Sequence, residues 1–181
     1  MTLNNRLFVA YKPTGITSQH FVNRLKYKYK TKKVGFSGTL DPFAKGALII
    51  GFGQYPKLFQ YIAKTPKRYR AVLWLGAFSE GLDTENIEYV KQLEKCNEEE
   101  VKKQVEQLCE LTSQVPPKFC AKWIDGKRAY DLARKGKEVN LPSHPICVHE
   151  AHFIHYCHPY ITFEVSVSQG TYVRSLGAPD R

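Results

Sequence analysis

The chain has 181 residues, enough for one substantial core or a core with a small appendage. Hydrophobic residues at 43% and aromatics at 13% exclude a disordered chain, and a net charge of +10 points to a polyanionic partner. No apolar run approaches the roughly 20 residues that span a bilayer, and Leu7–Tyr11 is too short for the core of a secretory signal. Cys96, Cys109, Cys120, Cys147 and Cys157 are odd in number and form no Cys-x-x-Cys pair, so no disulfide framework is expected and a reducing, cytoplasmic setting is.

Residues 6–11, RLFVAY, read as a strand ending at the turn Lys12-Pro13-Thr14-Gly15. A helix is expected to start near Thr17 or Ser18, both good N-caps, with Phe21, Val22, Leu25 and Tyr29 as its apolar face. Lys26, Lys28, Lys30, Lys32 and Lys33 follow, and Lys64, Lys67, Arg68 and Arg70 lie beyond the next segment, interleaved with Tyr61 and Tyr69. Cations alternating with aromatics suit phosphate contacts and base stacking. An anionic membrane would instead call for a basic amphipathic helix with an apolar face.

Between these basic runs lies Val34–Gly53, VGFSGTLDPFAKGALIIGFG. Asp41-Pro42 makes a turn, because Pro fixes its own φ and keeps the preceding residue out of the α region. The expected result is a carboxylate on a short, stiff, exposed loop backed by the strand Ala47–Ile50. Turn chemistry alone allows a second reading, in which Asp41 only caps its own backbone.

Tyr55–Ala63 is expected as a short helix and Lys67–Ala77 as a strand, with Tyr69, Ala71, Leu73 and Leu75 on one side. Ser79–Asn86 is a polar loop. Asn97 and Glu100 resemble a capping box at the start of a helix over Glu98–Leu111, with Val101, Val105, Leu108 and Leu111 as its buried stripe. Pro116-Pro117 gives a stiff extended segment, and Arg128, Tyr130 and Arg134 are expected on a short helix that offers either cationic reach or a solvated face. Residues 144–158 hold five of the six histidines. His149, His152 and His155 are spaced by three in a β-rich segment, so they are expected to alternate between sheet faces as surface residues, and no metal site is assigned. Ile161–Val167 is the return strand of a hairpin across Cys157–Tyr160, and a final helix is expected near Tyr172.

Four ordered stretches carry a resemblance: KPTGITS at 12–18, GFSGTLDP running into GALIIGFG, QVPPKFCAK with GKRAYDLARKG, and SQGTYVRSL at 168–176. Together with Lys67-x-Tyr69 they resemble the TruB-type tRNA pseudouridine synthases over about residues 7–176. The resemblance implies an α+β pseudouridine synthase catalytic fold, a mixed and mostly antiparallel central sheet flanked by helices, forming one domain over 1–181. It implies isomerisation of the T-loop uridine of tRNA, U55, with Asp41 as the catalytic carboxylate. Tyr69 and Tyr172 would receive the target base, Arg174 would pair with Asp41, and Phe36 and Lys12 would complete the substrate-binding set, Lys12 as a structural or phosphate-facing residue. The chemistry needs no cofactor or metal, since a carboxylate can serve as nucleophile or base. It implies a monomer acting on the tRNA T stem-loop with no protein partner required.

Three positions depart from the pattern. Phe36 stands where the family has His, and Cys120 where it has Ser. After Leu176 the chain reads GAPDR, with Pro179 expected to stop the helix, where the family continues and often adds a PUA-type RNA-binding module. A catalytically weak tRNA-binding or tRNA-folding protein is therefore the alternative expectation.

Overall fold

The computed structural model describes residues 5–85, 87–117, 119–120, 123–124, 127–129 and 141–177. The chain forms two compact units, residues 1–63 and 64–181.

In the first unit, strand β1 (Arg6–Lys12) leads into helix α1 (Ser18–Lys28), and strands β2 (Val34–Ser37) and β3 (Gly46–Phe52) complete an antiparallel sheet in the order β1-β3-β2. Alternation decides the faces. Phe8, Ala10, Val34 and Phe36 pack with buried Leu48, Ile50 and Phe52 against Phe21, Val22 and Leu25 of α1. Thr17 caps the helix, its hydroxyl accepting from the His20 N–H at 3.0 Å. Thr17→Ala should therefore lower the unfolding free energy by about 1 kcal/mol, read from urea melts. On the other sheet face Gly35 lies opposite Gly51. A Cβ on Gly51 would stand 2.8 Å from the Pro56 nitrogen, so the bare backbone is what lets a 3₁₀ turn over Tyr55–Tyr61 seat itself there. That turn replaces the expected Tyr55–Ala63 helix: Pro56 near its start and its short span favour the tighter winding.

The second unit contains β4 (Lys67–Trp74), β5 (Ala77–Ser79), β6 (Ile87–Val90), α2 (Glu98–Glu106), β7 (Ser113–Gln114), β8 (Trp123–Ile124), β9 (Lys127–Arg128), β10 (His144–Pro145), β11 (Val148–Cys157), β12 (Tyr160–Val167) and α3 (Val173–Leu176). Its largest sheet runs β11-β12-β4, with smaller pairs β5-β6, β10-β7 and β8-β9; every described pairing is antiparallel. The inner face of the large sheet buries Phe163, Val165 and Val167 with Val101 and Val105 of α2 and Leu176 of α3. Tyr69, Ala71 and Leu73 of β4 pack against the same cluster, as their alternation predicts. The α+β class with antiparallel sheets is thus the observed one.

β4 stops at Trp74 because Gly76 turns the chain, with φ +80. A Cβ there would strike the Lys91 carbonyl oxygen, so Gly76→Ala should cost about 1–3 kcal/mol in a thermal melt. Helix α2 ends at Glu106 and tightens into a 3₁₀ turn over Gln107–Glu110, shorter than the expected helix to Leu111. Its cap comes from Asn97, whose side chain accepts from the Glu99 N–H at 2.8 Å.

Two expectations are corrected. His149, His152 and His155 do not alternate between faces. β11 has register shifts between Val148 and Glu150 and between Phe153 and His155. Each extra residue resets the two-residue period, so Ala151 and Tyr156 are buried while all three histidines are exposed. They are surface residues, but through bulges rather than alternation. Arg128 lies on β9, paired with Trp123, and not on a helix. Its pairing with Trp123 holds Arg128 in extended backbone, and the next residue, Ala129, is helical. Tyr130, Arg134, residues 136–139, Asn86 and Pro179 lie outside the described residues.

Candidate active site

The Asp41 loop is fastened through backbone groups of Leu40, Asp41, Pro42 and Ala44. Lys12 ends β1 opposite Gly46, and its side chain is fully buried, with 0% exposure. Its ammonium donates to the carbonyl oxygens of Pro13 at 2.9 Å, Ala44 at 2.8 Å and Pro42 at 3.4 Å. The Gly15 N–H donates to the same Pro42 oxygen at 2.8 Å, and the Ala44 N–H donates to the Asp41 carbonyl at 3.1 Å. Buried Ser18 at the start of α1 accepts from the Leu40 N–H and donates to the Leu40 carbonyl, both at 3.0 Å. The strand–turn–helix of residues 6–28 therefore serves as a clamp for residues 40–44.

Burial lowers the Lys12 pKa from 10.5, while the negative charge of Asp41 acts to raise it. Lys12 is thus turned inward on the loop. Asp41 itself is half-buried and not openly exposed as expected, because the clamp folds the loop onto the sheet end. Phe36 is half-buried and packs in the first unit's core, opposite Ile50.

The remaining candidates belong to the second unit. Tyr69 sits on β4 opposite Val165, half-buried. Arg174 is on α3 with its side chain 9% exposed, and it donates to the Gly81 carbonyl at 2.7 Å, the Phe119 carbonyl at 3.1 Å and the Asp83 carboxylate at 3.3 Å. A guanidinium offers five donors in a fixed plane, which suits one residue fixing two separate loops, one through Gly81 and Asp83 and the other through Phe119. Val173 and Leu176 of α3 share the core of Tyr69, so the helix bearing Arg174 and the strand bearing Tyr69 are packed on one cluster. Tyr172 precedes α3. Its N–H donates to the Gln114 side-chain oxygen at 2.6 Å, the Gln114 amide donates back to its carbonyl at 3.3 Å, and its ring meets His144 edge-on at 6.2 Å.

Ser18, Asp83 and Gln114 are the positioning residues that sequence reasoning missed. Ser18 and Gln114 lie inside the matched stretches KPTGITS and QVPPKFCAK with no such role assigned to them, and Asp83 lies in the polar loop Ser79–Asn86. Among the described residues, no group of three or more His, Cys, Asp and Glu is placed to hold a metal ion.

Charge is divided unevenly between the units. Residues 1–63 carry ten Lys and Arg against a single acidic residue, Asp41, and so hold +9 of the chain's +10. No helix among the described residues is long and apolar enough to cross a membrane.

Comparison with known proteins places the fold and the family. Solved structures share the fold: a chain of "Crystal Structure of a Cbf5-Nop10-Gar1 Complex" superposes with a TM-score of 0.65 at 19% identity, covering 94% of this chain and 43% of that one. A chain of "Structure of H/ACA RNP bound to a substrate RNA containing 2'-deoxyuridine" gives 0.62 at 20% identity, covering 94% and 41%. The protein named tRNA pseudouridine synthase B in Sulfurimonas denitrificans is 58% identical over 173 residues, which is 96% of this chain and 63% of that protein. Its namesake in Campylobacter jejuni subsp. jejuni serotype O:2 is 48% identical over 171 residues, or 94% and 63%. The chain thus spans somewhat less than two thirds of the relatives it matches. The sequence profile described as TruB family pseudouridylate synthase (N terminal domain) matches residues 26–173, and the chain belongs to that family.

Proposed function

We propose that this chain is the catalytic domain, over residues 1–181, of a tRNA pseudouridine synthase that isomerises the T-loop uridine U55, with Asp41 as the catalytic carboxylate. The observation that carries this reading is the Asp41 loop: a carboxylate on a segment whose backbone is held by Lys12, Gly15 and Ser18. Such preorganisation is what a single reacting group needs, since its position is set before substrate arrives. The naming of the relatives as tRNA pseudouridine synthase B supports the substrate.

In the reaction the N-glycosidic bond of the uridine breaks, the uracil rotates, and a carbon–carbon bond to the ribose forms. Asp41 acts as nucleophile or base in that exchange. The target base must leave its stack, and Tyr69 and Tyr172 are assigned to receive it. Phe36 supports the same region, and Lys12 contributes by holding the loop. Arg174 retains the role toward the Asp41 carboxylate that the resemblance implies. No cofactor, metal or protein partner enters this mechanism, and the protein acts as a cytoplasmic monomer.

The test is pseudouridine formation on unmodified tRNA by the parent and by Asp41→Asn, with tRNA binding measured for both. The expected result is a loss of at least about 10³-fold in rate for the variant at unchanged binding. Binding by both without product from either would favour the alternative, a tRNA-binding or tRNA-folding protein. Equal rates would remove Asp41 from the mechanism.

A further inference from the structure

The first unit has a second charged feature at the end of its sheet remote from Asp41. The row Arg6, Phe52, Val34 closes one end of the sheet, and Lys12 with Gly46 closes the other. Six residue steps along β3 at about 3.3 Å separate the rows by about 20 Å. At the far end, α1 finishes at Lys28, Lys30 turns the chain with φ +47, and Lys32 and Lys33 lead into β2. The turn is rigid: the Thr31 N–H donates to the Lys26 carbonyl at 3.0 Å, the Gly53 N–H donates to the Lys33 carbonyl at 2.8 Å, and the Tyr29 ring meets Phe52 at 5.4 Å.

Lys28, Lys30, Lys32 and Lys33 are all exposed, and no ion pair among the described residues involves them. Tyr27 beside them is 89% exposed. The helix dipole accounts for cations in the last turn of α1 only; Lys30, Lys32 and Lys33 lie beyond it. The Lys28 ammonium lies over the Tyr29 ring at 5.6 Å, but with Asp41 as the unit's single acid, at the opposite end, no carboxylate of the unit offsets the repulsion among the four lysines. A fold gains nothing from that arrangement, whereas a polyanion would neutralise it.

We propose that Lys28, Lys30, Lys32 and Lys33 form a phosphate-binding edge that grips the backbone of the substrate RNA about 20 Å from the Asp41 loop. The choice of RNA rests on the function proposed above. A membrane surface fits less well, because the apolar face of α1 is already buried against Leu48, Ile50 and Phe52, leaving no apolar stripe to enter lipid.

The experiment is a salt titration of binding to unmodified tRNA for the parent, for Lys28→Gln/Lys30→Gln/Lys32→Gln/Lys33→Gln, and for the corresponding four-fold Arg variant. Each phosphate contact contributes about 0.7–0.9 to the slope of log K against log salt. The Gln set should lower the slope by about 3 and weaken binding on the order of 100-fold near 0.1 M salt, while the Arg set keeps both. An unchanged slope in the Gln set overturns the proposal, as does equal loss in the Arg set, which would make the effect one of folding. Reduced binding to phosphatidylserine vesicles with tRNA binding intact would also overturn it. Failure of the functional reading is distinguishable, since it would appear as a parent that makes no pseudouridine while the salt slopes still compare.

Discussion

Lys12→Met should lower the unfolding free energy by about 3 kcal/mol or more, the largest stability effect of any single change in the first unit. The ammonium is wholly buried and serves three carbonyls, two of them on the Asp41 loop. The Pro13 and Ala44 carbonyls lose this donor while Pro42 keeps the Gly15 N–H; an acceptor left without a donor away from water costs about 1–3 kcal/mol, and Met restores only the apolar stem. In a chain of this size that corresponds to about 6–12 °C in a thermal melt. Catalysis should fall as well, because the loop loses the bond that fixes Ala44 three residues after Asp41. The pH dependence has a definite sign. Burial lowers the folded-state pKa of Lys12 below 10.5, so in the window between the two values the unfolded chain holds more protons and the stability of the wild type rises with pH. Lys12→Met has no such proton to release, and the gap between the two proteins should widen as pH climbs toward 10.5. A gap that narrows there would contradict the assignment of a desolvated lysine.

The second large effect is expected at Arg174. Its guanidinium and the Asp83 carboxylate are 9% and 13% exposed and 3.3 Å apart. Arg174→Ala strands a nearly buried carboxylate and also frees the Gly81 and Phe119 carbonyls, which together should cost about 3–5 kcal/mol. Asp83→Asn keeps an oxygen to accept the hydrogen bond and should cost less, about 1–2 kcal/mol. A double-mutant cycle on urea melts should return a coupling of about 1–3 kcal/mol. Additive losses would mean that the pair is adjacent but not coupled. Because Arg174 ties the loop of Asp83 to α3, where Tyr172 is anchored by Gln114, activity should decline in Arg174→Ala beyond what the fraction unfolded explains.

How much of this was visible in the sequence follows from the range over which each signal acts. The alternation of Tyr69, Ala71 and Leu73 and the helical spacing of Phe21, Val22 and Leu25 are short-range patterns, and both elements formed with the faces they indicate. The Asp41 turn was legible from Asp-Pro and its glycines, and Thr17 from its place before an apolar period. The devices that hold the site are long-range. Ser18 reaches Leu40, Gln114 reaches Tyr172, and Asp83 reaches Arg174 across 91 positions. None of these pairs leaves a periodic mark. The bulges in β11 were hidden for a different reason: one inserted residue shifts every following side chain without changing composition. Lys12 shows the limit most clearly. The motif leaves Lys12 structural or phosphate-facing, and only the closing of the turn over Pro42 and Ala44, which buries it, decides between the two.

The measurement that tests the account most directly is position-resolved mapping of pseudouridine in an unmodified tRNA transcript after incubation with the chain, beside the Asp41→Asn variant. The account predicts a single modified position, the T-loop uridine, in the parent reaction and none in the variant. Pseudouridine at other positions, or at the same position with Asp41→Asn, would contradict it.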